Sequence, residues 1–166
     1  MTQALLRPLG LLLLATLAAC SPAKHPIDQQ LSQLRPVTIA ALTGLDWPAG
    51  SLLCPLTPYQ DSLPPGGGAD GERVNAFLKR KQFKGEDGQW SLVIVKPSPA
   101  GDAGIEQLLF KQGGYDVINE GTLLKRAETV PANFRRQICV PVEHARVLVT
   151  RTPSDPRPMI SFGTAD

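Results

Sequence analysis

Aromatic residues, histidine and cysteine are scarce in this chain, and neither sign of charge dominates it. Aromatic side chains make up 5% of the 166 residues, and only two histidines and three cysteines are present. The 17 basic and 15 acidic residues leave a formal net charge of +2, without the basic excess that drives nucleic-acid binding. A hydrophobic share of 42% is too high for a disordered polyelectrolyte. We therefore expect a folded protein that does not bind nucleic acid.

The shortage of histidine also limits the chemistry that the chain can perform. His25 and His144 are far apart and have no cysteine or histidine at the spacing of a zinc site. His144 follows Glu143 in what we expect to be an exposed turn between strands, and no serine lies in a G-x-S-x-G motif. The glycine run 66–68 lacks the G-K-[ST] ending of a phosphate-binding loop. The sequence therefore predicts no catalytic residues, no metal and no cofactor.

The first twenty residues have the pattern of a secretory signal. Arg7 supplies the positive charge, Leu9–Leu17 form an apolar run, and the small residues Ala18 and Ala19 precede Cys20. That run is about half the length of roughly 20 residues that a membrane-spanning helix needs. The quartet Leu17-Ala18-Ala19-Cys20 resembles the bacterial lipoprotein lipobox. This resemblance implies that Cys20 is the lipidated first residue of the mature protein.

The same resemblance implies a location. Residues 1–19 are then the signal peptide, and the acyl chains on Cys20 supply a stable membrane anchor. In this family an aspartate after the cysteine directs retention at the inner membrane, whereas Ser21 follows it here. The resemblance therefore implies an outer-membrane lipoprotein that faces the periplasm, with residues 20–25 as a short tether and residues 26–166 as the periplasmic domain.

The two remaining cysteines are predicted to form one disulfide. The periplasm is oxidising, and two unmodified cysteines there usually pair. Cys54 and Cys139 form no C-x-x-C motif and have no histidine at ligand spacing, so nothing supports a reactive or metal-binding thiol pair. A proline follows each cysteine closely, at Pro55 and Pro141. We therefore expect the disulfide near strand ends or at a sheet edge.

Hydrophobic periodicity predicts a single α+β domain with a mostly antiparallel sheet and one or two short helices. Pro26 begins a stretch with apolar residues at the i, i+4, i+7 spacing of a helix, and Asp70 is predicted to cap a second helix over 72–83. Strands are predicted at 37–42, 51–56, 90–95, 105–112, 115–119, 137–142, 145–150 and 158–162.

A glycine pair at 113–114 is predicted to join two of these strands in a hairpin. Two glycines permit the positive φ values of a primed two-residue turn. The resulting register places Lys111 opposite Asp116 and Phe110 opposite Val117. One charge pair and one apolar pair would both stabilise that hairpin.

Acidic residues leave one enzymatic alternative open. A carboxylate pair that cleaves a glycan meets only in space, so sequence spacing does not reveal it. The available residues are Glu106, Asp116, Glu120 and Glu128. We expect them to be solvated, and a cell-wall hydrolase is therefore the last of three hypotheses.

A basic cluster is expected on the exposed side of the second helix. Its residues are Lys79, Arg80, Lys81 and Lys84. A solvated helix face is the common reason for such a cluster, and contact with an acidic partner is the functional alternative.

Without a catalytic set, we predict a non-enzymatic protein-binding module. The most specific hypothesis is an inhibitor or immunity lipoprotein against a periplasmic effector or hydrolase, and the alternative is a structural lipoprotein of an envelope or secretion assembly. The expected partners are the membrane, through the acyl chains, and an unidentified periplasmic or envelope protein. Loops at 57–71 and 97–104 are the candidate binding sites. Their candidate contact residues are Pro64, Pro65, Gly66, Gly67, Gly68, Pro97 and Pro99.

Overall fold

The computed structural model describes residues 24–36, 38–98, 104–119, 130–152 and 155–166. In these residues the chain has an α+β fold, with helices α1 (Pro26–Gln33) and α2 (Gly68–Arg80). Neither helix is long and apolar enough to cross a membrane. The strands are β1 (Thr38–Ala41), β2 (Leu52–Leu56), β3 (Gln89–Val95), β4 (Ile105–Lys111), β5 (Asp116–Val117), β6 (Phe134–Arg136), β7 (Val140–Pro141), β8 (Arg146–Thr152) and β9 (Asp155–Ala165). The lipobox and Cys20 lie outside the described residues.

The strands form two sheets rather than one. The first sheet has the order β1-β8-β9-β5, and β6 also pairs with β9. The second sheet has the order β4-β3-β2-β7. Strand β5 runs parallel to β9, and the other pairings between described strands are antiparallel. The predicted α+β class with mostly antiparallel strands is confirmed.

The main core forms where one face of each sheet meets α1. Trp90, Leu92 and Ile94 alternate along β3, so they share one face of the second sheet. They are buried in one cluster with residues of β8, β9 and α1. These partners are Val147, Val149, Ile160, Phe162, Ile27 and Leu31. The predicted helix at Pro26 is confirmed, and its apolar stripe belongs to this core.

Helix α2 covers the opposite face of the second sheet. Val93 and Val95, the other alternating set on β3, are buried with Val74 and Leu78 of α2. Residues four apart lie on one face of a helix, which explains why Val74 and Leu78 point to the sheet together. The charged residues predicted on the other side of α2 are exposed.

The predicted disulfide is confirmed. Cys54 of β2 and Cys139 are bonded, with an S–S distance of 1.99 Å. Cys139 directly precedes β7, which is an edge strand of the second sheet, whereas Cys54 lies in an interior strand. Leu53 and Val140, the neighbours of the two cysteines, are paired across the strands. The expectation of a sheet-edge position therefore holds for one of the two cysteines.

The hairpin predicted around residues 113–114 is wrong. Among the described strands, β4 pairs with β3 alone, and β5 pairs in parallel with β9 of the other sheet. The predicted cross-strand pairs of Lys111 with Asp116 and of Phe110 with Val117 therefore do not form. The chain crosses from the second sheet to the first at this point.

Aromatic packing explains the crossing. The ring of Phe110 stacks on Trp90 with centroids 4.3 Å apart, and Tyr115 meets Trp90 edge-on at 6.1 Å. Tyr115 is 1% exposed. Because Tyr115 is buried in the core between the sheets, the chain leaves β4 at this point. A two-residue turn would instead keep the chain beside β4.

Helix α2 begins earlier than predicted. Gly67 is the N-cap, and Asp70 lies in the first turn instead of capping the helix. A carboxylate in the first turn interacts favourably with the helix dipole, and Asp70 also bonds Arg73 at 3.0 Å. Gly68, predicted as a loop residue, is consequently the first residue of α2.

Residues 134–144 differ from prediction. The predicted strand 137–142 is only the two-residue β7, followed by a 3-10 turn over Val142–His144. Strand β6 lies where the sequence predicts none, because it is held by antiparallel pairing with the far end of β9. The predicted strands at 145–150 and 158–162 are confirmed, as parts of β8 and β9.

Candidate binding surface

The loop after β2 presents an exposed tyrosine in a strained backbone conformation. Tyr59 is 69% exposed and has φ 65°, in the left-handed region that bulky residues rarely adopt. The backbone N–H of Gln60 donates to the carbonyl of Thr57 at 3.2 Å, so residues 57–60 form a turn with Pro58 at its second position. Proline there and a positive φ at the next residue are the features of a type II turn. That third position favours glycine or asparagine, so its tyrosine is held by the surroundings.

An amide pair fixes this turn to the first sheet. The side chains of Gln60 and Asn119 exchange two hydrogen bonds, of 3.2 and 2.7 Å. The Gln60 side-chain oxygen also accepts the N–H of Thr57 at 3.0 Å. Asn119 is 4% exposed and directly follows the β5 region, so the turn is tied to a buried point of the fold.

A second amide fixes the next part of the same loop to α2. Asn75 accepts the backbone N–H of Leu63 at 2.7 Å and donates to its carbonyl at 3.2 Å. Leu63 is 4% exposed and belongs to the cluster under α2. Each such bond contributes about 1 kcal/mol to stability. The segment from 57 to 63 is therefore held at both ends by side-chain amides.

The loop after α2 packs directly against the turn. A Cβ atom at Gly85 would lie 2.5 Å from the carbonyl oxygen of Gln60, so only glycine fits this close approach. Gln82 has φ 51°, which makes it the second non-glycine residue with a left-handed backbone among the described residues. The two strained residues thus belong to two loops in mutual contact.

Charged groups line the junction of these loops. Lys84 and Asp61 are 3.0 Å apart, and this lysine holds the pKa of the Asp61 carboxyl below its usual value. A hydrogen bond to Asp87, followed by desolvation and the charge of Asp87, raises the pKa of the Tyr59 hydroxyl. Both pairs are exposed, so each contributes little to stability.

A cleft of about 610 Å³ opens beside the turn. It is lined by Asp61, Ser62, Asn75, Lys79, Gln82, Phe83 and Lys84. We call Tyr59 together with these lining residues the Tyr59 surface. It combines an exposed aromatic ring, two lysines and a half-buried phenylalanine.

The sequence-predicted contact residues are distributed differently from expectation. Pro65 and Gly66 are exposed, Pro64 is half-buried, and Gly67 and Gly68 belong to the start of α2. In the second loop, Pro97 is exposed and Pro99 lies outside the described residues. The 57–71 loop contains the beginning of the Tyr59 surface, at Tyr59, Asp61 and Ser62, and the contact residues predicted in this loop lie further along it. The sequence feature that indicates this turn is Pro58, because proline favours the second position of a type II turn.

The described residues that were considered for catalysis are exposed or bonded to other groups. His144 and Glu143 are exposed, and Glu143 accepts the N–H of Gly50 at 3.1 Å, one of the backbone bonds that lower its pKa. Glu106 pairs with Lys96 at 2.8 Å. Asp116 pairs with Arg157 and also accepts a bond from Gln112. Glu120 and Glu128 lie outside the described residues. In the part of the chain that the structure describes, no group of three metal-binding side chains occurs.

Comparison with known proteins adds no relative. No family model, curated protein or solved structure matches this chain.

Proposed function

We propose that the chain is a periplasmic lipoprotein, anchored in the outer membrane at Cys20, that works by binding another protein. The specific role that we propose is inhibition of, or immunity to, an effector or hydrolase that acts in the periplasm. The single observation that carries the binding function is the presentation of Tyr59, which is 69% exposed in a loop segment that side-chain amides hold at both ends, at Gln60 and at Leu63.

Rigid presentation of an exposed aromatic side chain favours a binding role. Tyrosine is enriched among the few interface residues that carry most of the binding energy. A turn that is already fixed loses little conformational entropy when a partner binds, so more of the contact energy appears as affinity. A backbone held at positive φ costs free energy in the folded protein, and such strain clusters at functional sites.

The charges of the Tyr59 surface favour an acidic partner. Lys79 lines the cleft, and Lys81 lies 5.2 Å from the centre of the Phe77 ring on the same helix end. Lys84 and Asp61 also line the cleft, but they are paired with each other, so their charges offset. A partner that brings a carboxylate and an apolar side chain would complement this surface.

The lipobox resemblance supports a position near the membrane. If Cys20 carries the acyl chains, only residues 21–25 separate it from α1, which begins at Pro26. An extended chain spans at most about 3.6 Å per residue, so the domain would be held close to the membrane surface. Such a position suits a protein that meets its partner near the outer membrane.

The test is cross-linking of the full-length lipoprotein in cells, followed by purification in detergent and mass spectrometry. We expect one stoichiometric effector-like or hydrolytic partner with the unmodified chain and its loss with Tyr59→Ala. Val130→Ala, which shortens another exposed apolar residue, is the matched control and should retain the partner. Recovery of several envelope-complex subunits would support the structural alternative. Digestion of isolated cell walls by the purified protein would overturn the non-enzymatic proposal.

A further inference from the structure

Among the described strands, β4 is an edge strand of the second sheet. The order β4-β3-β2-β7 leaves one side of β4 without a described neighbour. With seven residues, β4 is longer than the other described edge strands, of which β1 has four and β7 has two. An edge of this length presents a row of backbone groups to which another strand can pair.

The hydrogen-bond pattern shows which residues face outward. The backbone N–H of Lys96 donates to the carbonyl of Gly104 at 2.7 Å, and the backbone N–H of Gln112 donates to the carbonyl of Gly88 at 2.6 Å. Both pairs belong to the β3–β4 register, and bonded pairs in an antiparallel ladder occur at every second residue. The N–H and C=O groups at 105, 107, 109 and 111 therefore point away from β3.

The centre of this edge lacks the protection that natural edge strands usually have. Leu109 is 58% exposed, and its backbone groups are among those that point outward. Strand β4 contains no proline, and its charged residues, Glu106 and Lys111, lie near its two ends. Proline, central charges and bulges are the usual means of preventing strand addition.

A groove runs beside this edge, between β4 and the amino-terminal end of α1. Its volume is about 480 Å³, and residues 112–115 close one side of it. The hydroxyl of Tyr115 donates to Asp28 at 2.6 Å. The His25 ring stacks on Trp47 with centroids 5.9 Å apart and meets Phe110 edge-on at 5.7 Å. These contacts give the groove rigid walls.

The charge of the groove selects the chemistry of its occupant. Lys24 and Lys111 are exposed on its rim, and the carboxylate of Asp28 is already bonded to Tyr115. The acidic residue of β4, Glu106, is paired with Lys96 at 2.8 Å. A second copy of this chain would add the same lysines and no unpaired carboxylate from β4. An acidic strand from a different protein complements the groove better.

We propose that β4 binds an extended segment of a partner protein, which adds to the second sheet as a strand beside β4. The segment alternates acidic and apolar residues, so that its apolar side chains pack on the face of Leu109 and its carboxylates lie on the opposite face, where Phe110 and Lys24 line the groove. Backbone hydrogen bonds supply affinity in this mode of recognition, and the alternating side chains supply specificity. The inference rests on the proposed protein-binding function and assigns that function a second surface.

The test uses the full chain in detergent micelles and an eight-residue peptide of alternating valine and glutamate, capped at both ends. The peptide should bind and should slow amide exchange at Gln107, Leu109 and Lys111 by about tenfold or more, measured by NMR. A valine–lysine peptide of the same length is the control and should bind at least about tenfold more weakly.

Two variants test the strand-addition geometry. Leu109→Pro removes an outward N–H without breaking the β3–β4 ladder, and Leu109→Glu places a charge of the same sign as the peptide at the centre of the edge. Each should weaken binding of the acidic peptide about tenfold or more. If Leu109→Pro does not fold, Leu109→Glu alone decides the question. The Val130→Ala chain, changed at an exposed apolar residue outside β4, should bind the peptide as the unmodified chain does.

Several outcomes would overturn the proposal. They are binding without protection of the β4 amides, equal binding of the acidic and basic peptides, unchanged binding by both Leu109 variants, and self-association through β4. Failure of the wider function gives a different result. If the peptide adds to β4 but no protein partner is recovered from cells, the β4 site is supported and the inhibitor role is contradicted. If a partner is lost with Tyr59→Ala but the peptide does not bind, β4 is not its docking site.

Discussion

Loss of the Cys54–Cys139 disulfide should destabilise the domain more than any single side-chain truncation on its surface. The bond closes a loop with a sequence separation of 85 residues. In the chain-entropy model, a cross-link over about 85 residues restricts the unfolded state by about 4.5 kcal/mol. That amount is a large fraction of the total of about 5–15 kcal/mol that stabilises a typical domain.

The choice of replacement follows from burial. Cys54 is 0% exposed and lies in the apolar cluster between the second sheet and α2. A serine there would bury a hydroxyl without a partner, which adds about 1–3 kcal/mol unrelated to the cross-link. The double variant Cys54→Ala and Cys139→Ala avoids that cost. Reduction of the unmodified chain keeps both sulfur atoms and is the matched control.

Equilibrium denaturation in urea is the assay. We expect the reduced chain to lose about 4.5 kcal/mol and the double alanine variant slightly more, because two sulfur atoms are also removed. At roughly 3 °C per kcal/mol for a chain of this size, Tm should fall by about 12–15 °C. The urea dependence should also steepen, because an unfolded chain without the cross-link exposes more surface. A loss below about 1 kcal/mol in both samples would refute the reasoning.

Three further predictions concern the loop, the tyrosines and the anchor. Asn75→Ala should lower the free energy of unfolding by about 2 kcal/mol, because two hydrogen bonds to Leu63 are lost. Hydrogen exchange in the 57–63 loop should become faster, and unchanged exchange would show that the Asn75 amide does not hold the loop. Burial and the bond to Asp28 raise the pKa of Tyr115 well above 10.0, so its contribution to stability is complete below pH 10 and declines as pH rises further. Absorbance titration should therefore show Tyr59 ionising in the folded protein and Tyr115 only on unfolding, whereas simultaneous ionisation before unfolding would contradict the buried assignment. Cys20→Ala should abolish lipid labelling and membrane fractionation; labelled membrane protein from that variant would disprove the anchor.

The positions of most helices and strands could be predicted from the sequence. The Pro26 helix, the buried strand at 90–95 and the strands within β8 and β9 follow from local hydrophobic spacing, which depends only on neighbouring residues. The disulfide could also be predicted, because two cysteines remain once Cys20 is assigned to lipidation. The strand and helix positions depend on neighbouring residues, and the disulfide depends on the number of cysteines, so neither inference needs the tertiary structure.

The pairing of strands and the Tyr59 surface were decided by tertiary structure. The glycine pair at 113–114 is compatible with a hairpin or with a crossing, and burial of Tyr115 beside Trp90 selects the crossing. The turn that holds Tyr59 in a left-handed backbone conformation is bonded through Gln60 to Asn119, which is distant in sequence. Such contacts exist only after the two sheets have packed. The sequence by itself therefore determined most of the segments that become helices and strands, the disulfide and the lipobox pattern. Only the tertiary structure decided the sheet membership of each strand and which groups remain unpaired at the surface, because both depend on side chains that meet from distant parts of the chain.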